Sequence, residues 1–222
     1  DPIEKTYQAA DAVIFQSEFN KRLTEKFFGI KEKNFVIHNG TSIEVIEKIE
    51  PLVSKDLDEF ENIWACASAW RPHKRLKDNL KYFLDHSSEN DCLIVAGSNP
   101  DCELDHPRVF YAGTLDWVTL ISLYKVSKYF IHLAWLDHCP NVVVDARAAG
   151  CHIVCSSAGG TKEIAGKDST IIEEDVWDFS PVKLYNPPIM DFSKKINVAK
   201  ESEIDIKNTS KYYLNVFKEC IR

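Results

Sequence analysis

Two acidic residues, Asp137 and Asp145, stand eight positions apart on either side of a predicted helix start. Carboxylate oxygens accept hydrogen bonds from the hydroxyl groups of sugars. The helix begins near Pro140 and Asn141, and the free N–H groups of a helix N-terminus favour phosphate oxygens. The spacing therefore favours a ligand with both hydroxyls and phosphate, with a ribose beside one acid and a hexose beside the other. A turn role for Asp137 and an exposed helical position for Asp145 are the alternatives.

A basic segment, residues 70–75, follows a predicted strand at 63–67 and forms a second candidate site. Arg71, Lys74 and Arg75 place three permanent cations in a chain whose net charge is −7. An arginine fork binds phosphate in a bidentate manner, and a lysine binds it as a point charge. Acids, rather than bases, usually occupy the first turn of a helix. We therefore predict that this segment binds a diphosphate; a solvated helix start is the alternative.

Two further segments contain glycine at predicted turns. The pair Gly159-Gly160 follows a predicted strand at 152–155 and permits positive φ angles and close approach between backbones. An ordinary tight turn is the alternative for this pair. Asn39-Gly40 follows a predicted strand at 34–38, and a turn explains it fully.

Short buried strands alternate with helices along the chain. Strands are predicted at 12–16, 34–38, 63–67, 92–96, 109–111, 129–133 and 152–155, and helices at 17–28, after 74 to about 84, 115–126, 141–149 and 161–165. This alternation predicts an α/β fold with a single Rossmann-like parallel sheet and helices on both faces. Ligands of such sheets bind beyond the carboxyl ends of the strands.

The remaining segments are less regular. Residues 43–58 are polar and are interpreted as a connector, and 168–203 show no clear pattern. Apolar residues at helical spacing predict a terminal helix that packs back through one face, formed by Tyr213, Val216, Phe217, Cys220 and Ile221. We expect one domain over 1–222, with an N-terminal βα extension and connector at 1–60, a core at 61–170 and an irregular segment and helix at 171–222.

Composition bounds the class of protein. The 222 residues are 45% hydrophobic and 11% aromatic, which is enough for a packed core. The net charge of −7 argues against nucleic acid and anionic membranes as partners. No apolar stretch approaches the roughly 20 residues that span a bilayer. The chain shows no signal-peptide pattern, and we predict no integral membrane segment and a cytoplasmic location.

Seven cysteines without a CxxC pair indicate reduced thiols. A zinc site that combines Cys151, Cys155, His152 and His138 is a minor alternative, because a strand places alternate residues on opposite faces. The chain has no GxGxxG, no GxxxxGK[ST] and no DxD pair at a predicted strand end, so we predict no metal and no cofactor. The isolated histidines His86, His106 and His132 are interpreted as structural.

In this order, the motifs resemble the C-terminal, donor-binding half of a GT-B glycosyltransferase, closest to glycosyltransferase family four. That family carries Glu-x7-Glu, which matches the segment from Asp137 to Asp145, and Gly-Gly-x-x-Glu, which matches Gly159 to Glu163. The Asn-Gly after a strand, the Arg/Lys loop and the base-binding loop match Asn39-Gly40, Arg71 to Lys74 and Gly113-Thr114-Leu115. The resemblance covers roughly residues 9–165.

The resemblance implies a nucleotide-diphosphate sugar as substrate. Asp145 would hold the ribose, Asp137 the transferred sugar, and Arg71 and Lys74 the diphosphate. The base would meet backbone near Thr114 and Leu115. The remaining residues implied in donor binding are Cys139, Pro140, Asn141, Val142, Gly159 and Gly160. If the transfer inverts, the nearest titratable groups for a base are Asp137, His138 and His73.

The chain departs from the family pattern in three respects. Both family glutamates are aspartates here, and Arg71 and Lys74 are three positions apart instead of five. Only the last βα unit of the usual N-terminal domain, about residues 9–28, is represented. The chain is therefore either an excised domain or a compact single-Rossmann transferase within a longer polypeptide. It is also similar in style to multidomain glycan-building proteins of large algal viruses, which makes rhamnose a candidate sugar.

We therefore expect a glycosyltransferase that moves a hexose or deoxyhexose from a UDP- or GDP-linked sugar to a glycan acceptor without a metal. Electrostatic stabilisation of the departing diphosphate is expected to be its largest catalytic effect. A nucleotide-sugar epimerase and a non-catalytic nucleotide-sugar-binding module of a larger enzyme are the alternatives.

Overall fold

The structure is a computed structural model that describes residues 2–196 and 201–221. Its helices are α1 (Pro2–Ala9), α2 (Glu18–Phe28), α3 (Ile43–Lys48), α4 (Leu76–His86), α5 (Trp117–Val126), α6 (Asn141–Ala148), α7 (Thr161–Ile164) and α8 (Ile206–Ile221). Its strands are β1 (Val13–Phe15), β2 (Asn34–Val36), β3 (Asn62–Ala69), β4 (Asp91–Ser98), β5 (Val109–Gly113), β6 (Ser127–His132), β7 (His152–Ser156), β8 (Thr170–Ile172) and β9 (Lys195–Ile196).

A seven-stranded sheet with the order β5-β4-β3-β6-β7-β8-β9 forms the centre of the fold. All neighbouring pairs are parallel except β8 and β9. Alternate residues of β3 enter different cores, because side chains of a strand point to opposite faces. Ala65 and Ala67 pack with residues of α5 and α6, whereas Trp64 and Cys66 pack with residues of α4. The predicted α/β architecture is confirmed.

The N-terminal strands do not join this sheet. β1 and β2 pair in parallel with each other as a separate two-stranded sheet. The predicted helix between them begins after Ser17, whose side chain accepts a hydrogen bond from the Asn20 N–H, and ends at Gly29, whose φ is 83°. The Glu163 carboxylate accepts hydrogen bonds from the N–H groups of Glu18 and Phe19 at 2.7 and 2.9 Å. This contact fixes the start of α2 against α7.

Two segments differ from the sequence-based interpretation. The predicted irregular connector 43–58 contains the helix α3, because Ile46 is buried in the core and this burial outweighs the polar character of the segment. The segment 168–203, which had no assigned structure, contributes β8 and β9 to the sheet. Both differences arise from long-range packing that a local pattern does not encode.

The terminal helix α8 is present, but its apolar face is only partly buried. Thr41 forms backbone hydrogen bonds on both sides of the helix start, accepting from Ile206 and donating to Ile204. Val216 is buried, whereas Phe217 and Ile221 are 54% and 86% exposed. The helix therefore packs back through one buried residue in each half, Thr209 and Val216.

All seven cysteines are free thiols. Within the described ranges, no group of three or more His, Cys, Asp or Glu residues could hold a metal ion. No helix of the same ranges is long and apolar enough to cross a membrane.

A buried ion pair joins the start of α4 to the segment after β8. The Arg75 guanidinium, whose side chain is 0% exposed, donates two hydrogen bonds of 2.8 Å to the Glu174 carboxylate. Ser156 donates a further hydrogen bond to that carboxylate. Arg75 is therefore not one of the cations available to a ligand, which corrects the interpretation of segment 70–75 as three free charges.

We predict that Glu174→Ala destabilises the protein by about 3–5 kcal/mol, because it leaves the Arg75 charge buried and unpaired. The free energy of unfolding in urea measures this effect. The control is Asp85→Ala, which removes the exposed partner of Lys81 on α4 and should cost less than about 0.5 kcal/mol. Equal losses for the two variants would contradict a structural role for the buried pair.

Candidate functional site

Three loops at the carboxyl edge of the sheet are joined by backbone hydrogen bonds. The loop after β3 accepts at His73 O from Trp135 N, which lies after β6, at 2.7 Å. The loop after β6 donates from Leu136 N to Ala158 O, after β7, at 3.1 Å, and Gly160 N donates to Asp137 O at 2.7 Å. The segments that the sequence selected for donor binding therefore lie together, beyond β3, β6 and β7.

The glycine pair allows two of these loops to touch. Gly159 has a φ of +113°, and a Cβ atom on it would lie 2.6 Å from Asp137 O. A Cβ atom on Gly160 would lie 1.9 Å from His138 O and 2.6 Å from Ser17 Oγ. Both positions thus exclude any side chain, and the pair is more than an ordinary tight turn.

Asp137 lies at the centre of the joined loops. Its Oδ2 atom accepts hydrogen bonds from Lys74 Nζ at 2.5 Å and His132 Nε2 at 3.0 Å, and its Oδ1 atom accepts from the His138 N–H at 3.0 Å. Burial alone would raise the pKa of Asp137, but the hydrogen bonds and positive charge of His132 and Lys74 hold that pKa well below its usual range. The carboxylate is therefore ionised at neutral pH.

His132 contacts this site directly, although its sequence position suggested only a structural role. The side chain is 4% exposed, at the end of β6, and its hydrogen bond fixes one oxygen of Asp137. Its place at a strand end, five residues before Asp137, is the only sequence feature that relates it to the site.

The two histidines predicted as bases have different surroundings. Burial lowers the pKa of His73, with a further contribution from Lys74, and the ring stacks on Tyr185 at 5.4 Å. Its buried Nδ1 atom has no hydrogen-bond partner in the described part of the chain. Burial also lowers the pKa of His138, whose ring lies 5.7 Å from Phe19. Both imidazoles are therefore neutral at pH 7 and are able to accept a proton.

The first turn of α6 presents unpaired backbone donors. Pro140 is the N-cap residue and forms no side-chain cap, and no described group accepts from the N–H of Asn141 or Val142. The side chain of Asn39 donates to Cys139 O at 2.9 Å and to Asn141 Oδ1 at 2.7 Å. Asn39 thereby holds the start of α6, which exceeds the turn role assigned to it from sequence.

Asp145 is buried, not an exposed helical acid as the alternative interpretation held. It is 9% exposed on the inner face of α6 and accepts a hydrogen bond of 3.0 Å from Trp117 Nε1. Burial raises its pKa, and hydrogen bonds from Thr41 and Trp117 oppose this only in part. Only neutral donors among the described residues contact this carboxylate.

The predicted base-binding loop lies at the end of β5. Thr114 is exposed, and Leu115 is half-buried against the core. Trp117, just beyond, links this loop to Asp145, a contact that the sequence did not suggest because the two residues are 28 positions apart. Arg71 is exposed on the loop after β3; its backbone carbonyl accepts a hydrogen bond from the Lys74 N–H at 2.7 Å, and its guanidinium forms no hydrogen bond or ion pair with the described residues.

Residues 61–180 match the profile of a protein family described as "Glycosyl transferases group 1". The chain belongs to this family. A search of curated proteins gives no match.

Solved structures support the fold. The chain is similar to sucrose-phosphate synthase from Thermosynechococcus elongatus, with a TM-score of 0.62, 16% identity, and coverage of 77% of this chain and 47% of that one. It is also similar to Anabaena Alr3699/HepE in complex with UDP-glucose, with a TM-score of 0.57, 20% identity, and coverage of 71% and 48%. The chain spans about half the length of these GT-B glycosyltransferase structures.

We predict that Asp145→Asn weakens binding of a nucleotide donor without loss of stability. The folded-state pKa of Asp145 lies above its unfolded value, so ionisation at neutral pH lowers the stability of the fold, and an uncharged amide removes that cost. Loss of a charged hydrogen-bond acceptor should raise the Kd for nucleotide by roughly 10–100-fold. Calorimetric titration and thermal unfolding measure the two effects. A lower Tm with unchanged nucleotide affinity would show that Asp145 serves the fold alone.

We also predict that Lys74→Met slows transfer by about 100-fold, because one charge that stabilises the departing diphosphate is lost. Lys74 is only about one-fifth exposed, so its pairing with Asp137 also contributes to stability, contrary to the exposed position expected from sequence. The single variant leaves the Asp137 carboxylate without its cation. The double variant Lys74→Met with Asp137→Asn also removes that charge, so it should be more stable in urea unfolding than the single variant but should not regain kcat. Recovery of kcat in the double variant would contradict a direct role for the lysine.

Proposed function

We propose that the chain binds a nucleotide-diphosphate sugar at the carboxyl edge of the sheet and takes part in glycosyl transfer. The observation that carries this proposal is the placement of one ionised and paired acid, Asp137, and one buried acid with only neutral donors, Asp145, at either side of the open first turn of α6. This arrangement matches a ligand with a diphosphate between two hydroxyl-bearing sugars.

The donor contacts follow from this placement. The free N–H groups of Asn141 and Val142 and the cations Arg71 and Lys74 hold the diphosphate. Asp145 accepts hydrogen bonds from ribose hydroxyls, which supplies the partners that its buried carboxylate lacks. The base lies over the loop of Thr114 and Leu115.

The contacts to the transferred sugar come from the loops after β6 and β7. The carbonyls and N–H groups around Cys139, Pro140, Gly159 and Gly160 border this sugar. Oδ2 of Asp137 accepts two hydrogen bonds from side chains, so the sugar is held through Oδ1 or after Lys74 moves to the phosphate.

Transfer breaks the bond between the anomeric carbon and the diphosphate oxygen, and the electron pair leaves with the nucleotide. An acceptor hydroxyl oxygen forms the new bond to that carbon, and its proton passes to His138, His73 or the departing phosphate. Lys74, Arg71 and the α6 N-terminus stabilise the negative charge on the leaving group, without any metal.

The donor is proposed to be UDP- or GDP-linked and the sugar a hexose or a deoxyhexose such as rhamnose, transferred to a glycan. That Alr3699/HepE is solved in complex with UDP-glucose supports a uridine donor. We propose further that residues 1–222 act as one nucleotide-sugar-binding domain within a longer, multidomain polypeptide of the cytoplasm. An epimerase on the same fold and a non-catalytic binding module are the rival functions.

One experiment separates the three functions. The protein is incubated with UDP-, GDP- and dTDP-sugars, with and without glycan acceptors, and release of nucleotide diphosphate is measured. Release that depends on an acceptor supports the transferase. Turnover without acceptor supports the epimerase, and binding without turnover supports the module. Failure of all these nucleotides to bind would contradict the proposal.

A further inference from the structure

A cavity of about 710 Å³ lies beside the proposed donor site, over the carboxyl ends of β7 and β8. Three aromatic side chains on its wall, Phe19, Trp177 and Phe179, form what we call the aromatic wall. Their ring centroids lie 5.2 to 6.2 Å apart. Each of the three is only partly buried, so part of each side chain is accessible to a ligand.

The backbone holds the aromatic wall in a specific conformation. Phe179 has a φ of 63°, which is unusual for a residue with a bulky side chain. Trp177 is fixed by a hydrogen bond of 3.0 Å from its Nε1 atom to Ser180 O. Phe19 lies at the start of α2, where Glu163 holds its N–H group. The wall is therefore positioned by these contacts together with the packing of Phe19 and Trp177 against the buried cluster of Trp135, Leu136 and Ala158.

The cavity continues directly from the donor site. Leu136, Ala158 and Gly159 line it, and these residues belong to the loops after β6 and β7 that border the transferred sugar. The parts of the proposed donor follow the strand order of the sheet. The nucleobase lies at β5, the diphosphate at β3 and the transferred sugar at β6 and β7, and the cavity follows at β7 and β8. The cavity is therefore next to the transferred sugar, where an acceptor would have to bind.

The charge of the lining restricts the acceptor. Among the described residues that line the cavity, six are acidic and two, Arg22 and Lys162, are basic. Two of the acids, Glu174 and Glu201, are paired with arginines outside the lining, so the cavity keeps a smaller excess of negative charge. Such a lining disfavours acceptors with carboxylate or phosphate groups. The carboxylates and amides accept and donate hydrogen bonds to hydroxyls, and the aromatic wall offers apolar faces to the C–H groups of a sugar ring.

We propose that this cavity is the acceptor subsite and that it binds a neutral glycan, one sugar ring of which stacks on the aromatic wall. This inference rests on the proposed transferase function. His138 lies between the wall and the donor loops, 5.7 Å from Phe19 and 3.4 Å, at its Nδ1 atom, from Asn20 Nδ2. No described residue bonds its Nε2 atom, which is therefore able to accept a proton at the border between the aromatic wall and the loops after β6 and β7.

The test compares Trp177→Leu and Phe19→Leu with the wild-type protein. Methyl glycosides of glucose, galactose, mannose and rhamnose serve as neutral probes and methyl glucuronide as the anionic probe, each in the presence of UDP. Saturation-transfer NMR measures their binding, and initial rates measure the KM for any glycoside that accepts sugar. Each leucine variant should raise Kd or KM for the neutral glycoside by about tenfold, while the Kd for UDP stays unchanged.

Two control variants sharpen the result. Trp177→Phe keeps an aromatic face and should retain most of the glycoside affinity. Phe217→Leu changes an exposed aromatic residue on α8, beside a different groove that includes Asn39 and Asn141, and should have no effect. If Phe217→Leu weakens glycoside binding and Trp177→Leu does not, the acceptor binds along α8 and the inference is wrong.

Other outcomes also decide the question. Equal binding of glucuronide and neutral glycosides would overturn the charge argument, and absence of glycoside binding would overturn the subsite. Octyl glycosides serve as a further probe. If they bind equally well whatever sugar they carry, the cavity binds an apolar ligand in place of a glycan, and the inference is wrong. Failure of the wild-type protein to bind UDP is a separate result, because it contradicts the proposed function and not the acceptor subsite alone.

Discussion

The ion pair between Lys74 and Asp137 determines the form of the site before any ligand binds. It joins the loop after β3 to the loop after β6, and the main chain of Asp137 in turn accepts from the loop after β7. An exposed ion pair contributes little, but both side chains here are about four-fifths buried, so their geometry is strongly preferred. The lysine charge therefore has a fixed position at the sheet edge, which in the proposed transfer would reduce the reorganisation needed when charge develops on a leaving phosphate.

The two acids of the Asp-x7-Asp motif differ in their electrostatics, although the sequence presents them as equivalent. The pKa of Asp137 is held low by a cation and two further donors, whereas the pKa of Asp145 is raised by burial among neutral donors. The Asp137 carboxylate accepts its hydrogen bonds from within the protein and joins the loops that form the site. The second is incompletely satisfied, which is a property expected of a group that completes its hydrogen bonds on a ligand.

The fold was largely predictable because its elements rest on local patterns. The continuous run of buried residues in β3 and the Pro140 and Gly150 boundaries of α6 are encoded in consecutive residues. Ile46 shows the limit, because a single buried residue turned a polar connector into a helix. The approximate location of the site was predictable by the same logic, since strand-end loops of a parallel sheet converge.

The partners of the site residues were not predictable, because they lie far apart in sequence. His132 and Trp117 each fix one of the two acids, yet neither stands in a motif. Gly160 was expected to permit close approach, but the atoms it approaches, His138 O and Ser17 Oγ, follow only from the packing of α2 against α7. Which basic side chain stays available to a ligand also depended on a distant partner, since Glu174 binds the Arg75 guanidinium and no described residue binds the Arg71 guanidinium.

The N-terminal unit is part of the candidate site, although it lies outside the 61–180 region that the family profile covers. Glu163 binds the N–H groups at the start of α2 and His38, and burial of this carboxylate is outweighed by those hydrogen bonds, so its pKa is lowered. This contact places Phe19 and Asn20 beside His138. The Gly-Gly-x-x-Glu segment therefore makes two kinds of contact. Its glycines allow the close approach of the loop after β6, and its glutamate binds the start of α2, which lies on the other side of that loop. A change in the position of α2 would consequently alter the surroundings of His138 without any change in the sheet.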